Sequence, residues 1–261
     1  MSTRKPKKNK LPLTEILRRI VLVLSVLVFL SCAVLLILDY LPIVETPDAQ
    51  FIKNPDFYTD PEAFEKASPT IVENVKELKS NNPDIIGFIS IKGTNIDYPI
   101  VKGTDNDYYL KHNVYKKRDG KGAIMLDAYS NEDLSLNWLI YGHKMRSKTM
   151  FGTLDKLKDK SFFKEHGSML IMLHDELAIY DVVAACYTEV YPADSPNFKY
   201  HLYYNIYSEE DYNYYVANVK KMALYDTGIT PVFGEQLVTL STCRDANSNR
   251  RFIVVARKRS D

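Results

Sequence analysis

Cysteine, glycine and tryptophan are scarce in this chain of 261 residues, with three Cys, ten Gly and one Trp. Three cysteines cannot build a disulfide scaffold. So few glycines, beside 12 prolines, exclude collagen-like and low-complexity chains, and a composition 46% hydrophobic and 26% charged excludes wholesale disorder. A packed core is within reach, either as one ordinary domain with an appendage or as two small domains. A basic stripe on the body is also missing. Residues 1–19 hold seven Lys/Arg against Glu15 alone, a balance of +6, so the total of +1 leaves the rest of the chain near −5. Phosphate binding needs clustered Lys/Arg on the folded part, which argues against nucleic acid as a partner. No internal repeat, phosphate-cradling glycine loop or metal-ligand cluster is apparent. What is plentiful is aromatic: 19 Tyr and 11 Phe suggest a β-rich body.

The basic N-terminus precedes nineteen uncharged residues, Ile20 to Leu38. As a helix rising ~1.5 Å per residue these would span ~28 Å, close to the hydrocarbon thickness of a bilayer. The competing reading is a cleaved signal peptide, but the run exceeds the usual ~7–15 residues and no small-x-small site follows it. The pattern therefore predicts a cytoplasmic basic tail over 1–19, a retained transmembrane helix over 20–38 and everything beyond about Asp39 outside the cell. Cys32 is read as a membrane-facing side chain. Prolines at 42, 47, 55, 61 and 69 make residues 39–69 an extracellular stalk. Ile71, Val75 and Leu78 then predict a short amphipathic helix over 70–79, stopped by Asn81-Asn82-Pro83.

Beyond Asp84 the pattern turns to short apolar runs between Gly, Asn and Asp turns. Strands are predicted over Ile85–Ile91, Ile96–Val101, Gly122–Ala128, Asn137–His143, Ser168–His174, Leu177–Val190, Glu235–Cys243 and Arg251–Lys258. Eight strands suggest a barrel or a sandwich. Between the sixth and seventh, Ser208-Glu209-Glu210-Asp211 looks like a helix start. Tyr212, Tyr215, Val216, Val219, Met222 and Ala223 supply that helix with one apolar face.

The last two strands carry the first sign of chemistry. Paired antiparallel, they set Cys243 at the end of one opposite Arg251 at the start of the next, across a seven-residue loop. A nearby cation favours thiolate over thiol, and a fixed N–H fork can hold an oxyanion. Taken alone, the hairpin favours the plainer reading of Cys243 as a small buried strand residue. A nucleophilic thiol also needs a proton-transfer partner. His112, His166, His174 and His201 lie in polar or mixed surroundings without special context. His143 differs, ending the run Asn137 to Gly142, where the glycine would free the backbone and aim the imidazole. A lone histidine still serves structure more often than catalysis. Cys–His pairing is nevertheless a standard route to an attacking sulfur. Cys186, inside the sixth strand, is read as a buried apolar residue.

The segment Thr239-Leu240-Ser241-Thr242-Cys243, with Arg251 ahead of Phe252-Ile253-Val254-Val255, resembles the signature of the sortases, cysteine transpeptidases of Gram-positive cell surfaces. Four further segments resemble class B sortases in particular. They are Ile86 to Ile91, Gly93-Thr94-Asn95-Ile96-Asp97-Tyr98-Pro99, Asp105 to Leu110, and Tyr141-Gly142-His143-Lys144-Met145 through Met150-Phe151-Gly152. The likeness runs from about residue 70 to 258. It implies a mainly β fold: an eight-stranded sortase-type β-barrel with an N-terminal helix and the inserted helix, forming a catalytic domain over 70–261. It implies His143, Cys243 and Arg251 as the catalytic residues. Arg250 is the one ambiguity, and strand alternation turns it the opposite way. Asn106, Leu110, Tyr141, Ser241 and Thr242 fall where class B enzymes line the sorting-signal groove. Asp127 and Asp245 are candidates to orient the imidazole, but the motif does not demand them, and each reads more simply as a solvated turn acid.

The reaction implied is cleavage of a C-terminal sorting signal after Thr through a thioester, then transfer of the secreted protein to a peptidoglycan cross-bridge or precursor amine. No metal or organic cofactor is implied. Two alternatives stay open: a pilin-polymerising sortase using a Lys amine, and a non-catalytic surface-anchored barrel that binds a ligand.

Overall fold

The protein is described from a computed structural model covering residues 12–40, 58, 60–243 and 249–260, with the side chains of 35–40, 61 and 243 set aside. The predicted tail over 1–11, most of the stalk and Asp245 lie outside the described residues. The chain forms two compact units, Met1–Thr46 and Pro47–Asp261.

The first unit holds α1 (Leu13–Tyr40). It starts seven residues before the expected apolar run because helix formation does not require apolarity. Pro12 offers its carbonyl to the amides of Glu15 (3.0 Å) and Ile16 (3.2 Å), and Glu15 pairs with Arg19 one turn on. From Leu13 to Val34 the mean hydropathy is 2.3 and nothing is buried, so this helix is long and apolar enough to cross a membrane. Its serines do not disturb that character. Ser25 and Ser31 turn their hydroxyls back to the carbonyls of Leu22 and Val28, at 2.9 and 2.8 Å.

The second unit opens with α2 (Pro61–Asn81), longer than the predicted 70–79. Two of the prolines read as stalk belong to it. Pro61 occupies the first turn, where its missing N–H costs nothing, and Asp60 caps the amides of Glu62 and Ala63 at 3.0 and 3.2 Å. Pro69 sits inside the helix, tolerated because Ile71 and Val75 are buried against the barrel.

Eight strands then close into a barrel: β1 (Ile85–Ile91), β2 (Asp97–Val101), β3 (Ile124–Leu126), β4 (Asn137–Tyr141), β5 (Ser168–Leu173), β6 (Glu176–Glu189), β7 (Leu237–Cys243) and β8 (Arg250–Lys258). The order round the barrel is β1-β2-β3-β4-β7-β8-β6-β5. β2 with β3 and β4 with β7 are parallel, and every other pair is antiparallel. Every predicted strand is present. The interior is packed by Ile89, Ile100, Ile140, Ile171, Val238, Leu240, Phe252 and Val254. The alternate face is covered twice over. α2 lies on β1 and β5 through Phe88, Leu170 and Met172, while α4 (Glu209–Met222) lies over Leu139, Val183, Ile253 and Val255. Burial on both faces explains why several strands read as continuous apolar runs, each large side chain contributing roughly 1.5–3 kcal/mol.

α4 stands between β6 and β7 as expected, started by Ser208, whose hydroxyl accepts from the Asp211 amide at 3.1 Å. The connection from β4 to β5 holds two elements beyond those expected, a 3-10 stretch over Phe151–Lys158 and the short α3 (Lys160–His166). Phe151, Leu154 and Leu157 are wholly buried there, a spacing of three that suits the tighter helix.

Arg259, just past β8, ties the approach to α2 onto the barrel. Its Nε donates to Asp181 Oδ2 at 2.9 Å, its Nη2 to Asp181 Oδ1 and to Ser168 Oγ, and its Nη1 to the Tyr58 carbonyl at 3.1 Å. Burial opposes ionisation of Asp181, but the Arg259 guanidinium and the Ser168 hydroxyl outweigh it and hold the carboxyl below its ordinary range. A folded-state pKa lower than the unfolded one gives stability that is present above about pH 4 and lost as pH falls through the folded value. Arg259→Ala should therefore cost about 1–2 kcal/mol at neutral pH, held to that size by partial solvation of the pair. Melting curves of both proteins from neutral to strongly acidic pH should show the gap narrowing in acid to what the Tyr58 and Ser168 bonds contribute; a gap of unchanged size contradicts the assignment.

Candidate active site

β4 and β7 run side by side in the same direction, with Asn137 opposite Leu237 and Tyr141 opposite Ser241. The pairing continues one step further, the Gly142 amide donating to the Ser241 carbonyl at 3.2 Å. His143 is two residues beyond Tyr141, and Cys243 two beyond Ser241. β8 returns from the same end, and its register sets Arg251 opposite Cys243 on one side and Thr188 of β6 on the other. Three neighbouring strands thus bring positions 143, 243 and 251 to one rim, although a hundred residues separate the first two. The cross-strand pairing of Cys243 with Arg251 is the one expected.

His143 is half-buried and fixed from two sides. Its carbonyl accepts from the Phe151 amide at 2.9 Å, and its ring Nε2 lies 2.9 Å from the Leu110 carbonyl. A carbonyl only accepts, so Nε2 carries the hydrogen in this arrangement. Gly142 serves differently from expectation. Its φ is not positive, so backbone freedom is not what it supplies. A Cβ there would meet Ile124 Cδ1 at 2.5 Å and the Phe151 ring at 2.6 Å, so glycine is required for space. Gly142→Ala should push the end of β4 off the barrel at about 1–3 kcal/mol, and chemical denaturation of the variant beside the parent protein checks this.

Arg251 is half-buried whereas Arg250 is exposed, and an Arg251 Nη1 donates to the Arg250 carbonyl at 3.1 Å. The Arg251 charge reaches the phenol of Tyr141. That phenol is pushed far above its ordinary range by burial and by Asp127, with Arg251 opposing the rise. Ser241 is buried and shares a 2.8 Å hydrogen bond with Tyr200 Oη. Thr242 is buried, its hydroxyl without a partner among the described residues. Thr188, beside Arg251, is likewise buried and unpartnered there.

Asp127 is corrected by the structure. It is 3% exposed, not a solvated turn acid, and its described partners do not include His143. Oδ2 accepts from Tyr141 Oη and from Asn106 Nδ2, both at 3.0 Å, and Oδ1 accepts from the Tyr129 amide at 2.9 Å. Asn106 in turn takes the Ala128 amide on its Oδ1 at 2.8 Å. Its amide is therefore engaged within the protein.

His201, which its sequence surroundings do not single out, belongs here. Burial, then the charges of Lys199 and Arg251, hold its pKa below the ordinary value against the pull of Asp127. The signal available was its place in the aromatic run Phe198 to Tyr207, whose Tyr200 bonds Ser241. Among the described residues no three His, Cys, Asp or Glu converge as metal ligands. A cavity of about 870 Å³ bordered by Tyr58, Phe64, Leu177 and Arg259 lies at the other end of β8, away from this rim.

A closed eight-stranded barrel, with a cysteine ending one strand in register with an arginine of the next and a histidine just past the adjoining parallel strand, is what this chain shares with a class of cysteine transpeptidases. The chain belongs to the sortase family, class B: the sortase domain matches residues 89–259, 171 of its 261 positions. Sortase B of Listeria monocytogenes is 31% identical over 188 residues, 71% of this chain and 73% of that protein. Sortase B of Staphylococcus aureus is 27% identical over 186 residues, 70% and 73% of the two chains. The X-ray structure of Clostridium perfringens sortase B superposes with a TM-score of 0.64 at 30% identity, covering 71% of this chain and 99% of that one. The protein is accordingly a cysteine transpeptidase of the kind that anchors proteins to the cell wall.

Proposed function

We propose that Cys243 is the nucleophile, His143 the proton-transfer group and Arg251 the oxyanion donor of a sorting-signal transpeptidase held at the membrane by α1. The observation that carries this reading is the register of β4, β7 and β8, which draws the three positions onto one rim. By the alternation of β7, position 243 belongs to the face of Ser241 and Thr239. The thiolate attacks the carbonyl carbon of a Thr in the exported substrate; a carbon–sulfur bond forms and the electron pair moves onto oxygen, where the guanidinium meets it. Collapse breaks the carbon–nitrogen bond, and imidazolium gives its proton to the departing amine. With Nε2 engaged by the Leu110 carbonyl, Nδ1 is the nitrogen that exchanges this proton. A peptidoglycan cross-bridge or precursor amine then attacks the thioester, neutral imidazole takes its proton, and the thiolate is released as the new amide forms.

Leu110, Tyr141, Ser241 and Thr242 border the sorting-signal groove in this proposal, and Asn106 shapes its edge from behind. The basic residues before α1 keep that end in the cytoplasm and place the barrel outside, where exported chains and lipid-linked wall precursors meet. Tethering all three to one surface raises their effective concentration. Quenched sorting peptides incubated with the full-length protein, with and without an amine acceptor, test the reading by mass spectrometry. A thioester adduct on the peptide containing Cys243, resolved into an amide product by the amine, is expected. Cleavage equally fast with and without amine, and no amide product, would indicate a hydrolase instead.

A further inference from the structure

We propose that Asp127 is a positioning residue for the transpeptidation, bracing from one carboxylate both ends of the hydrogen bond that fixes the His143 ring. The inference rests on the assignment of His143 and Cys243 above.

The two ends of that bond come from different parts of the chain. The donor, His143, follows Tyr141 by two residues at the exit of β4. The acceptor, the Leu110 carbonyl, closes a 3-10 turn over Tyr108–Leu110, four residues after Asn106. Asp127, just past β3, reaches both supports, since its Oδ2 accepts from Tyr141 Oη and Asn106 Nδ2 at 3.0 Å each. Asn106 cannot swing freely, because its Oδ1 is held by the Ala128 amide at 2.8 Å, giving a reciprocal two-bond clasp between the 106 loop and residues 127–128. Asp127 is itself anchored to β4, its amide donating to the Leu139 carbonyl at 2.8 Å.

The loop is pinned from the other side as well. Asp105 caps the amides of Asp107 and Tyr108 at 2.8 and 2.7 Å, and the Ala123 amide holds the Tyr109 carbonyl at 2.9 Å. At Gly122, whose φ is +63°, a Cβ would lie 2.5 Å from the Tyr109 oxygen and 3.0 Å from the Leu110 oxygen. Glycine at 122 is thus what lets this stretch pass close to the Tyr109 and Leu110 carbonyls. A buried carboxylate with three protein donors, none of them the imidazole, acts at one remove. It fixes where the acceptor stands relative to the ring, hence which ring nitrogen keeps the hydrogen and which faces position 243. Such support matters because proton transfer operates at hydrogen-bond range, where misplacement of about 1 Å is costly.

The test uses the full-length chain in detergent with ¹⁵N-labelled histidine, the His143 resonances being assigned by His143→Ala. The wild-type ring should show a single Nε2–H tautomer. Asp127→Asn places an amide where a carboxylate took two donors, and should give mixed tautomers together with acyl-enzyme formation slowed on the order of 10- to 100-fold, the scale of a misplacement of up to about 1 Å at the proton-transfer group. Adding Asn106→Asp exchanges donor and acceptor across the clasp and should recover both signals. An unchanged tautomer in Asp127→Asn overturns the proposal whether or not the rate falls, as does failure of the double variant to restore the tautomer while it folds. If Asp127→Asn does not fold, Asn106→Ala opens the same clasp from its less buried side, and an unaltered tautomer there is equally decisive. Product formation by Cys243→Ala would instead overturn the site assignment, and the tautomer readout does not depend on that result.

Discussion

Cys243→Ala should abolish acyl-enzyme formation and lower peptide cleavage by about 10⁴-fold or more, the scale seen when a covalent nucleophile is removed. Cys186 provides the matched control. It is wholly buried, its Sγ directed to the Val219 carbonyl at 3.3 Å, and burial pushes its thiol up to about 12. A thiol so placed stays protonated and unreactive at neutral pH. Cys186→Ala should therefore leave turnover near wild type and cost about 1–2 kcal/mol of stability, the transfer and cavity terms for a small core side chain. The two substitutions should give opposite phenotypes, one losing chemistry with the fold kept and the other losing stability with chemistry kept. Alkylation followed by peptide mapping supplies an independent measurement. A thiol reagent should label Cys243 in the native protein and reach Cys186 only after unfolding. Native labelling confined to other positions, together with an active Cys243→Ala, would leave the barrel as a binding protein.

Most of the barrel is legible in the sequence because its strands are short, apolar on both faces and separated by turn residues, so each is a local signal. The two inner strands of the site are the clearest case. Asn137 to His143 and Glu235 to Cys243 announce themselves as apolar runs, and their chemistry-bearing residues stand at their ends. The resemblance to sortases adds the order in which they meet. What local pattern hides is pairing at a distance. Asp127 reads as a turn acid because the partners that bury it, Asn106 and Tyr141, come from two other segments. α2 is foreshortened for a different reason. Pro61 and Pro69 look like helix breakers to a local reading, whereas the first sits where no amide is needed and the second is held by packing of the next turn. His201 is overlooked because nothing in its neighbours reveals that the loop folds back on Ser241 and Arg251.

Arg251→Ala should slow acyl-enzyme formation by about 10²–10³-fold, the cost of removing one oxyanion donor, with little change in the melting temperature. The charge alone does not suffice. Lysine keeps it, but as a compact ammonium on a flexible stem in place of a planar fork whose N–H bonds are fixed in direction, so Arg251→Lys should recover only a small part of the loss. Arg250 tests whether geometry or mere local charge is at work. It is the neighbouring cation, yet it stands exposed on the opposite side of the strand and in register with Glu189, whereas Arg251 faces Cys243 and Thr188. Arg250→Ala should therefore stay within about twofold of wild type, as expected for a rim charge outside the reacting group's reach. Single-turnover rates for the three variants, measured at matched fractions folded, order them as Arg250→Ala fastest, Arg251→Lys slow and Arg251→Ala slowest. An Arg251→Lys rate equal to wild type would show that the site needs a nearby positive charge and no fork. Equal losses at 250 and 251 would show that the two act through net potential and that the cross-strand pairing has no catalytic meaning.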